Sequence, residues 1–207
     1  MAVAGIIAEY NPFHRGHAWQ IQEVRRRLGA DTAVVACMSG NFVQRGDFAI
    51  LAKRPRAEAA LAGGVDLVLE LPTPWSAATA ERFAQGGAAV LAASGVVTHL
   101  AFGCETGALP PLAAAAECLD SPAFQEALGR YAGRGMTFAA ARQAAARGII
   151  GGAADCLSMP NNILAVEYLR ALNALGSSMK PLALPRLGAG HDSRGEDGFL
   201  SAGFWPR

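Results

Sequence analysis

Apolar runs and helical patterns alternate along the first half of the chain. Four apolar runs, each followed by glycine, proline or a polar loop, predict buried strands at residues 5–8, 32–38, 65–71 and 98–103. Apolar residues at helical spacing follow the first run at Ile21, Val24 and Leu28, and helices are also predicted at 55–61 and 76–93. This alternation predicts an α/β fold, a parallel sheet with helices on both faces.

The second half of the chain is mainly helical in its pattern. Its predicted helices cover residues 112–119, 122–132, 137–147 and 162–175. Residues 180–185 predict a fifth strand at an edge of the sheet, because its two prolines cannot donate hydrogen bonds to a neighbouring strand. From residue 188 the chain is rich in glycine, aspartate and serine. We therefore expect one domain over residues 1–187 and an irregular tail over 188–207.

Polar residues lie at the end of each of these four strands. His14 and His17 follow the first strand, residues 39–47 form a polar loop after the second, and Glu70 and Glu105 lie at the ends of the third and fourth. Parallel α/β sheets bind their ligands at the carboxyl ends of the strands. We therefore expect a binding site along this edge of the sheet.

His14 and His17 flank Gly16 where the first strand gives way to the first helix. Free backbone N–H groups and the helix dipole favour phosphate at such a junction. Two imidazoles can donate hydrogen bonds to phosphate oxygens and to the charge of a transition state. The alternative is a loop that carries two surface histidines. The spacing resembles the H-x-G-H signature of the nucleotidyltransferase superfamily, whose members attack the α-phosphate of ATP or CTP.

Composition narrows the class of protein. The chain has 207 residues, of which 52% are apolar and 17% charged, as is typical of a globular domain. Its net charge of +1 gives no global field toward nucleic acid or membrane, so an RNA contact needs a local patch. The four cysteines lie apart in apolar settings, which predicts reduced, buried thiols in a cytoplasmic protein and no metal site. We find neither a secretory signal nor a stretch typical of a membrane span.

Seven ordered blocks make the resemblance more specific. They are G-I-I-A-E-Y-N-P-F-H-R-G-H (5–17), S-G-N-F-V-Q-R-G-D (39–47), K-R-P-R-A-E-A-A-L (53–61), G-V-D-L-V-L-E-L-P (64–72), A-E-R-F-A-Q-G (80–86), F-G-C-E (102–105) and P-N-N-I-L-A-V-E-Y (160–168). Together they resemble the bacterial tRNA(Met) cytidine acetate ligases over about residues 2–187.

The resemblance implies a cytoplasmic ligase that uses ATP to activate acetate as acetyl-adenylate, with release of pyrophosphate. The acetyl group then passes to N4 of the wobble cytidine of elongator tRNA(Met), which gives N4-acetylcytidine. The catalytic domain, here residues 1–187, would have a Rossmann-like nucleotidyltransferase fold, and a smaller helical region would help to hold the tRNA. ATP would be a substrate whose triphosphate Mg²⁺ neutralises.

The resemblance also implies roles for individual residues. His14 and His17 would be catalytic and would stabilise charge on the α-phosphate. The implied ATP-binding set consists of Ile7, Glu9, Tyr10, Asn11, Pro12, Phe13, Arg15, Gly16, Gln20, Gly103, Asn161, Asn162 and Arg186. Gly103 would lie against the nucleotide and Arg186 would meet phosphate. Asn161 or Asn162 would contact the nucleotide, and at least one of them is expected to be structural, since Asn161 suits a helix N-cap.

Polar residues of the second and third blocks are candidate contacts to tRNA or to another substrate. They are Asn41, Gln44, Arg45, Lys53 and Arg56. The alternatives are that Asn41 and Gln44 satisfy the backbone of their own loop, and that Lys53 and Arg56 belong to a solvated helix face.

Two positions depart from the family pattern. Arg15 occupies the variable position of H-x-G-H, where a small polar residue is expected, and arginine is compatible with phosphate. The second nucleotide motif of the family, roughly S-A-T-A-I-R, is matched only by Ser201-Ala202, which predicts a shortened chain that binds ATP but acts weakly or not at all on tRNA. The alternative functions are a cofactor adenylyltransferase, which joins ATP to a phosphorylated small molecule, and a non-catalytic remnant that binds ATP or RNA.

Overall fold

The computed structural model describes residues 1–186, with the exception of the Arg45 side chain. Five parallel strands form one sheet; they are β1 (Val3–Ala8), β2 (Ala33–Ser39), β3 (Leu67–Leu71), β4 (His99–Cys104) and β5 (Lys180–Pro185). Their order across the sheet is β3-β2-β1-β4-β5. The predicted parallel α/β class is confirmed, and the proline-containing β5 lies at an edge.

Eight α-helices connect or cover the strands of this described region. They are α1 (Arg15–Leu28), α2 (Lys53–Ala62), α3 (Thr73–Ser76), α4 (Ala80–Ala93), α5 (Leu109–Asp120), α6 (Pro122–Ala132), α7 (Phe138–Ile150) and α8 (Pro160–Ala174). Two 3₁₀ helices occupy Gln44–Gly46 and Gly151–Ser158. The single helix predicted at 76–93 is wrong at its start, because Thr79 is extended (ψ 162°) and separates α3 from α4.

The three inner strands, β1, β2 and β4, are largely buried, as their apolar runs predict, whereas β3 at the edge is only partly buried and its Leu67 is 47% exposed. On one face Ile7, Leu100 and Phe102 pack with residues of α4, α5 and α8. On the other face Ile6 and Val34 pack with residues of α1 and α2. Within the described residues, a ligand can therefore reach the central strands only at their carboxyl or amino ends, which restricts where a site can lie.

The apolar settings of the cysteines predict buried thiols, and the structure confirms it. All four cysteines, namely Cys37, Cys104, Cys118 and Cys156, are buried and have free thiols. Burial raises the pKa of the Cys37 thiol to about 12, so this thiol is protonated at neutral pH. Within residues 1–186, no helix combines the length and the apolar character that crossing a bilayer requires.

Arg56 is the largest of the fully buried side chains in the described region, with 1% exposure. Its guanidinium donates to the carbonyl oxygens of Glu9, Gly40, Ser39 (3.1 Å) and Leu51 (3.0 Å). These carbonyls belong to the carboxyl ends of β1 and β2 and to the segment before α2. Arg56 therefore ties the ends of two neighbouring strands to one helix.

The alternative that Arg56 lies on a solvated helix face is wrong, because its side chain is buried. Arg56 and Ala60 are the two buried residues of α2. They are four positions apart and so share the face that packs on the sheet. The other basic residues at the start of this helix, Lys53 and Arg54, are exposed.

Replacing Arg56 by methionine should destabilise the protein strongly, because buried carbonyls would lose their donors. We expect Arg56→Met to lower the free energy of unfolding by about 3 kcal/mol or more, as measured by urea unfolding. Arg54→Met is the matched control, since the Arg54 side chain is 89% exposed, and it should change stability by less than about 0.5 kcal/mol. Equal stability of the two variants would contradict the role of Arg56 in holding the two strand ends to α2.

Candidate active site

The chain passes from β1 to α1 through a tight turn at residues 9–14. Tyr10 has a positive φ of 47°, and the Asn11–Pro12 peptide bond is cis. His14 is extended (φ −140°, ψ 174°) and is the N-cap of α1. His17 lies on the first turn of the same helix. The structure therefore places both histidines at the carboxyl end of β1.

The two histidines cap α1 reciprocally through their Nδ1 atoms. The backbone N–H of Gly16 donates to His14 Nδ1 (3.1 Å), and the backbone N–H of His14 donates to His17 Nδ1 (3.2 Å). This is a capping box in which both side chains are imidazoles. An Nδ1 that accepts a hydrogen bond carries no proton, so each neutral ring has its proton on Nε2. The motif therefore supplies two Nε2–H donors.

Gly16 is required by the position of the His14 ring. A Cβ at residue 16 would lie 3.0 Å from His14 Cε1 and 3.1 Å from His14 Nδ1. These distances are tighter than an ordinary van der Waals contact, so a side chain would push the ring away from the amide that it caps. The glycine of H-x-G-H thus leaves room for the His14 ring that caps α1, as well as for a ligand.

Aromatic rings hold the histidine pair in place. The rings of His14 and His17 stack, with centroids 3.7 Å apart and planes inclined by 21°. The Tyr10 ring lies 4.9 Å from the His17 ring, and the Phe13 ring lies 5.5 Å from it. Tyr10 is buried in the core. Tyr10 and Phe13 therefore hold the His17 ring against His14.

Both histidines are held in the neutral form. Burial lowers the pKa of His14, and the charge of Arg186 lowers it further. Burial lowers the pKa of His17 well below its usual value, and His14 and Arg186 add to the effect. A proton added to either ring would occupy Nδ1 and break a cap. At pH 7 both rings are therefore neutral donors.

Arg186 reaches the histidines from the end of β5. The strand order reverses between β1 and β4, and such a switch point is where α/β sheets bind ligands. A Cβ on Gly103, in β4, would lie 3.3 Å from Arg186 Cγ, and the Arg186 N–H donates to the Cys104 carbonyl (3.2 Å). The structure therefore brings His14, His17, Gly103 and Arg186 together at one switch point.

Glu105, which follows β4, caps the N-terminus of α8. Its carboxylate accepts hydrogen bonds from the backbone N–H of Asn161 (3.2 Å) and of Asn162 (2.8 Å). Asn162 is fully buried, and its Oδ1 accepts the N–H groups of Glu105 (2.8 Å) and Thr106 (3.3 Å). Asn162 is therefore structural, while Asn161 is half-buried. The N-cap of α8 is Met159, so the N-cap expected at Asn161 is wrong.

Several other residues of the predicted ATP set support the turn with their side chains. Ile7 packs in the core. Glu9 Oε1 accepts the backbone N–H of Gln44 (2.8 Å), and Asn11 Oδ1 accepts that of Ile50 (2.7 Å). A phosphate contact by Ile7 or Glu9 would therefore come from the backbone, whereas Asn11 also has its side-chain Nδ2 as a donor. Pro12 and Gln20 are half-buried around the same turn, and Arg15 is exposed at the first position of α1.

The second predicted set lies along the β2 and β3 side of the edge. Asn41 Oδ1 accepts the backbone N–H of Lys53 at the start of α2 (2.9 Å). Lys53 Nζ pairs with Glu70 at the surface (2.7 Å). Gln44 Nε2 is buried and has no hydrogen-bond partner among the described residues. The Arg45 side chain lies outside the described part of the structure, as do the tail at 188–207 and the Ser201-Ala202 motif.

Sequence reasoning missed the double role of the histidines and the role of Glu105. An N-cap residue and the residue three positions later form the spacing of a capping box, so the His14–His17 cap could have been found from that signal. The bond between Glu105 and Asn162 joins residues 57 positions apart. No local pattern connects them.

Comparison with known proteins places these features in a family. Residues 1–203 match the HIGH Nucleotidyl Transferase family. The tRNA(Met) cytidine acetate ligase of Syntrophotalea carbinolica is 46% identical to this chain over 98% of its length, and that of Syntrophomonas wolfei is 43% identical over 98%. The matches cover 49% and 50% of these relatives, respectively, so the chain spans about half of their length.

Two solved structures share the fold. Thermotoga maritima TmcAL in its apo form I has a TM-score of 0.89 and 35% identity, over 98% of this chain and 50% of that one. The same protein bound with alpha-thio ATP has a TM-score of 0.87 and 36% identity, over 98% and 49% of the two chains. The resemblance predicted from the seven blocks is confirmed, and the chain belongs to the HIGH nucleotidyl transferase family.

Proposed function

We propose that this protein activates acetate with ATP and transfers the acetyl group to N4 of the wobble cytidine of elongator tRNA(Met). The observation that carries the proposal is the pair of fixed Nε2–H donors on His14 and His17, with Arg186 beside them at the switch point. The proposal is supported by relatives that are named tRNA(Met) cytidine acetate ligases and by the TmcAL structure bound with alpha-thio ATP. We place the reaction in the cytoplasm.

In the first step an oxygen of acetate attacks the α-phosphorus of ATP. The bond from this phosphorus to the oxygen that bridges to the β-phosphate breaks, and pyrophosphate leaves with the electron pair. Negative charge on the α-phosphate oxygens must be stabilised in the transition state. The Nε2–H groups of His14 and His17 and the guanidinium of Arg186 are donors that need no rearrangement to meet this charge. Since both rings are neutral, they donate hydrogen bonds without transferring a proton.

The nucleotide is proposed to lie across the carboxyl ends of β1 and β4. Backbone N–H groups of the turn and of the first turn of α1 would hold its phosphates. Asn161 is the asparagine that we assign to the nucleotide. Its Nδ2 donates to Glu105 Oε1 (2.6 Å), but the side chain is only half-buried and its Oδ1 remains an acceptor, whereas Asn162 is fully buried and its Oδ1 binds the loop after β4. Arg15 is exposed at the start of α1 and offers a further cation.

Mg²⁺ is proposed to bind through the triphosphate and water rather than through a protein cage. Within the described residues, no three His, Cys, Asp or Glu side chains converge as a metal site. The donors at the switch point are imidazole N–H and guanidinium groups, which suit phosphate. When bound, the ion would neutralise charge on the leaving pyrophosphate.

In the second step the N4 amine of cytidine attacks the carbonyl carbon of acetyl-adenylate. The amine loses a proton, and AMP leaves with the electrons of the acyl–oxygen bond. This step depends mainly on placing the cytidine correctly. Lys53, Asn41 and Gln44 are the residues that we propose for contacts with the RNA, whereas the burial of Arg56 excludes it from a direct contact.

Removing either Nε2–H donor should slow the first step. His14→Asn and His17→Asn each place the amide oxygen where Nδ1 caps α1, and neither has a donor at the position of Nε2. We expect each to slow acetate-dependent ATP–pyrophosphate exchange by about 10²–10³-fold. His99→Gln is the control, because His99 begins β4 at the opposite end of the sheet, and its exchange rate should equal that of the wild type.

Each other outcome of the exchange experiment has a distinct meaning. Exchange rates in His14→Asn and His17→Asn equal to the wild-type rate would contradict the assigned site. Exchange that requires a phosphorylated vitamin derivative instead of acetate would favour a cofactor adenylyltransferase. ATP binding without exchange for any acid would indicate a non-catalytic remnant.

Neutral histidines also predict how stability depends on pH. In the unfolded chain both rings titrate near pH 6.5, whereas the pKa values of His14 and His17 are lower in the folded protein. From about pH 6.5 to 5.5 the unfolded chain therefore binds protons that the folded protein does not, and stability falls as the pH falls.

The double variant His14→Asn/His17→Asn lacks these two groups. We expect its free energy of unfolding to fall by about 1–2 kcal/mol less than that of the wild type over this range, as measured by urea unfolding at each pH. An equal or steeper fall in the variant would show that the folded protein does not hold the two rings neutral.

A further inference from the structure

The loop at residues 41–51 presents an exposed aromatic side chain beside the candidate active site. Two backbone hydrogen bonds of 3.0 Å join its two arms. Phe42 and Phe48 face each other across this closure, with ring centroids 5.0 Å apart and planes inclined by 39°. Phe48 is nevertheless 77% exposed. The ring is therefore held on one side and open on the other.

Hydrogen bonds attach this loop to the turn that precedes α1. Glu9 Oε1 accepts the backbone N–H of Gln44 (2.8 Å), and Asn11 Oδ1 accepts the backbone N–H of Ile50 (2.7 Å). Glu9 and Asn11 belong to the same turn as the N-cap histidine. The position of Phe48 is therefore fixed relative to the phosphate-binding donors.

The surroundings of Phe48 combine apolar and basic groups. Ile50 and Leu51 follow it and are about half exposed, and Lys53 and Arg54 begin α2 immediately afterwards. Lys53 and Arg54 each form an ion pair with an exposed carboxylate. Because such surface ion pairs contribute little to stability, either cation can leave its carboxylate for a phosphate at little cost in free energy. An aromatic face beside cations is the combination with which proteins bind unpaired nucleic acid, since bases stack and phosphates pair.

We propose that Phe48 stacks on an unpaired nucleobase of the RNA substrate and that Lys53 and Arg54 contact the adjoining phosphates. This inference rests on the proposed function, in which an unpaired cytidine must be held where its amine reaches the acyl group. Phe48 is a positioning residue, because it orients the RNA and does not touch the reacting atoms. Any base can stack on an aromatic ring, so this loop would hold the RNA in position without selecting a particular base.

The test compares RNA binding by Phe48→Ala and by the wild-type chain, with fluorescence anisotropy of a labelled RNA hairpin whose loop carries unpaired cytidines. Loss of one stacking contact should raise Kd about tenfold. Phe138→Ala is the matched control, since Phe138 is also largely exposed (69%) but begins α7, and its Kd should equal that of the wild type. Phe48→Trp should keep the affinity, and the fluorescence of the added indole should be quenched when RNA binds.

A fully paired RNA duplex offers phosphates but no unpaired base, so it measures the contribution of charge without that of stacking. Phe48→Ala should therefore bind the duplex as tightly as the wild type does. Thermal unfolding of each variant checks that it is folded. The proposal is overturned if folded Phe48→Ala binds the hairpin as the wild type does, if Phe138→Ala loses as much affinity, or if Phe48→Ala alters only self-association. Absence of acetate-dependent exchange in the wild type would refute the proposed function instead, so the two failures are distinguishable.

Discussion

The reciprocal cap between His14 and His17 is the interaction on which the candidate site depends. Each Nδ1 accepts a backbone N–H at the start of α1. That single arrangement begins the helix, fixes both tautomers and turns both Nε2–H groups into donors. It also explains the spacing of the motif, since an N-cap and the third helical residue are the positions that can cap each other, and it explains the glycine between them.

Two sets of long-range hydrogen bonds hold the histidine cap in position relative to the sheet. Arg56 binds carbonyls at the ends of β1 and β2, and Glu105 with Asn162 binds the loop after β4 to α8. The strand ends on both sides of the histidines are therefore fixed before a ligand arrives. Donors held in this way stabilise developing charge without the cost of reorganisation. The same clamped edge also carries the loop that presents Phe48.

The sequence allows the sheet, its edge strand and the histidine junction to be predicted, because each depends on local pattern. Apolar runs bury strands, prolines exclude β5 from a central position, and a strand followed by a helix places His14 and His17. The burial of Arg56 could not be predicted, because its carbonyl partners come from three separate segments. The choice of Asn162 over Asn161 as the structural residue depends on Glu105, which lies far away in the chain.

Nitrogen-15 NMR of the histidine side chains can observe the reciprocal cap itself. At pH 7 we expect His14 and His17 each to have an unprotonated Nδ1 and a protonated Nε2, and both Nε2–H resonances to move when ATP is added. A proton on Nδ1 in either ring at pH 7, as the other tautomer or as imidazolium, would show that the cap does not form as described.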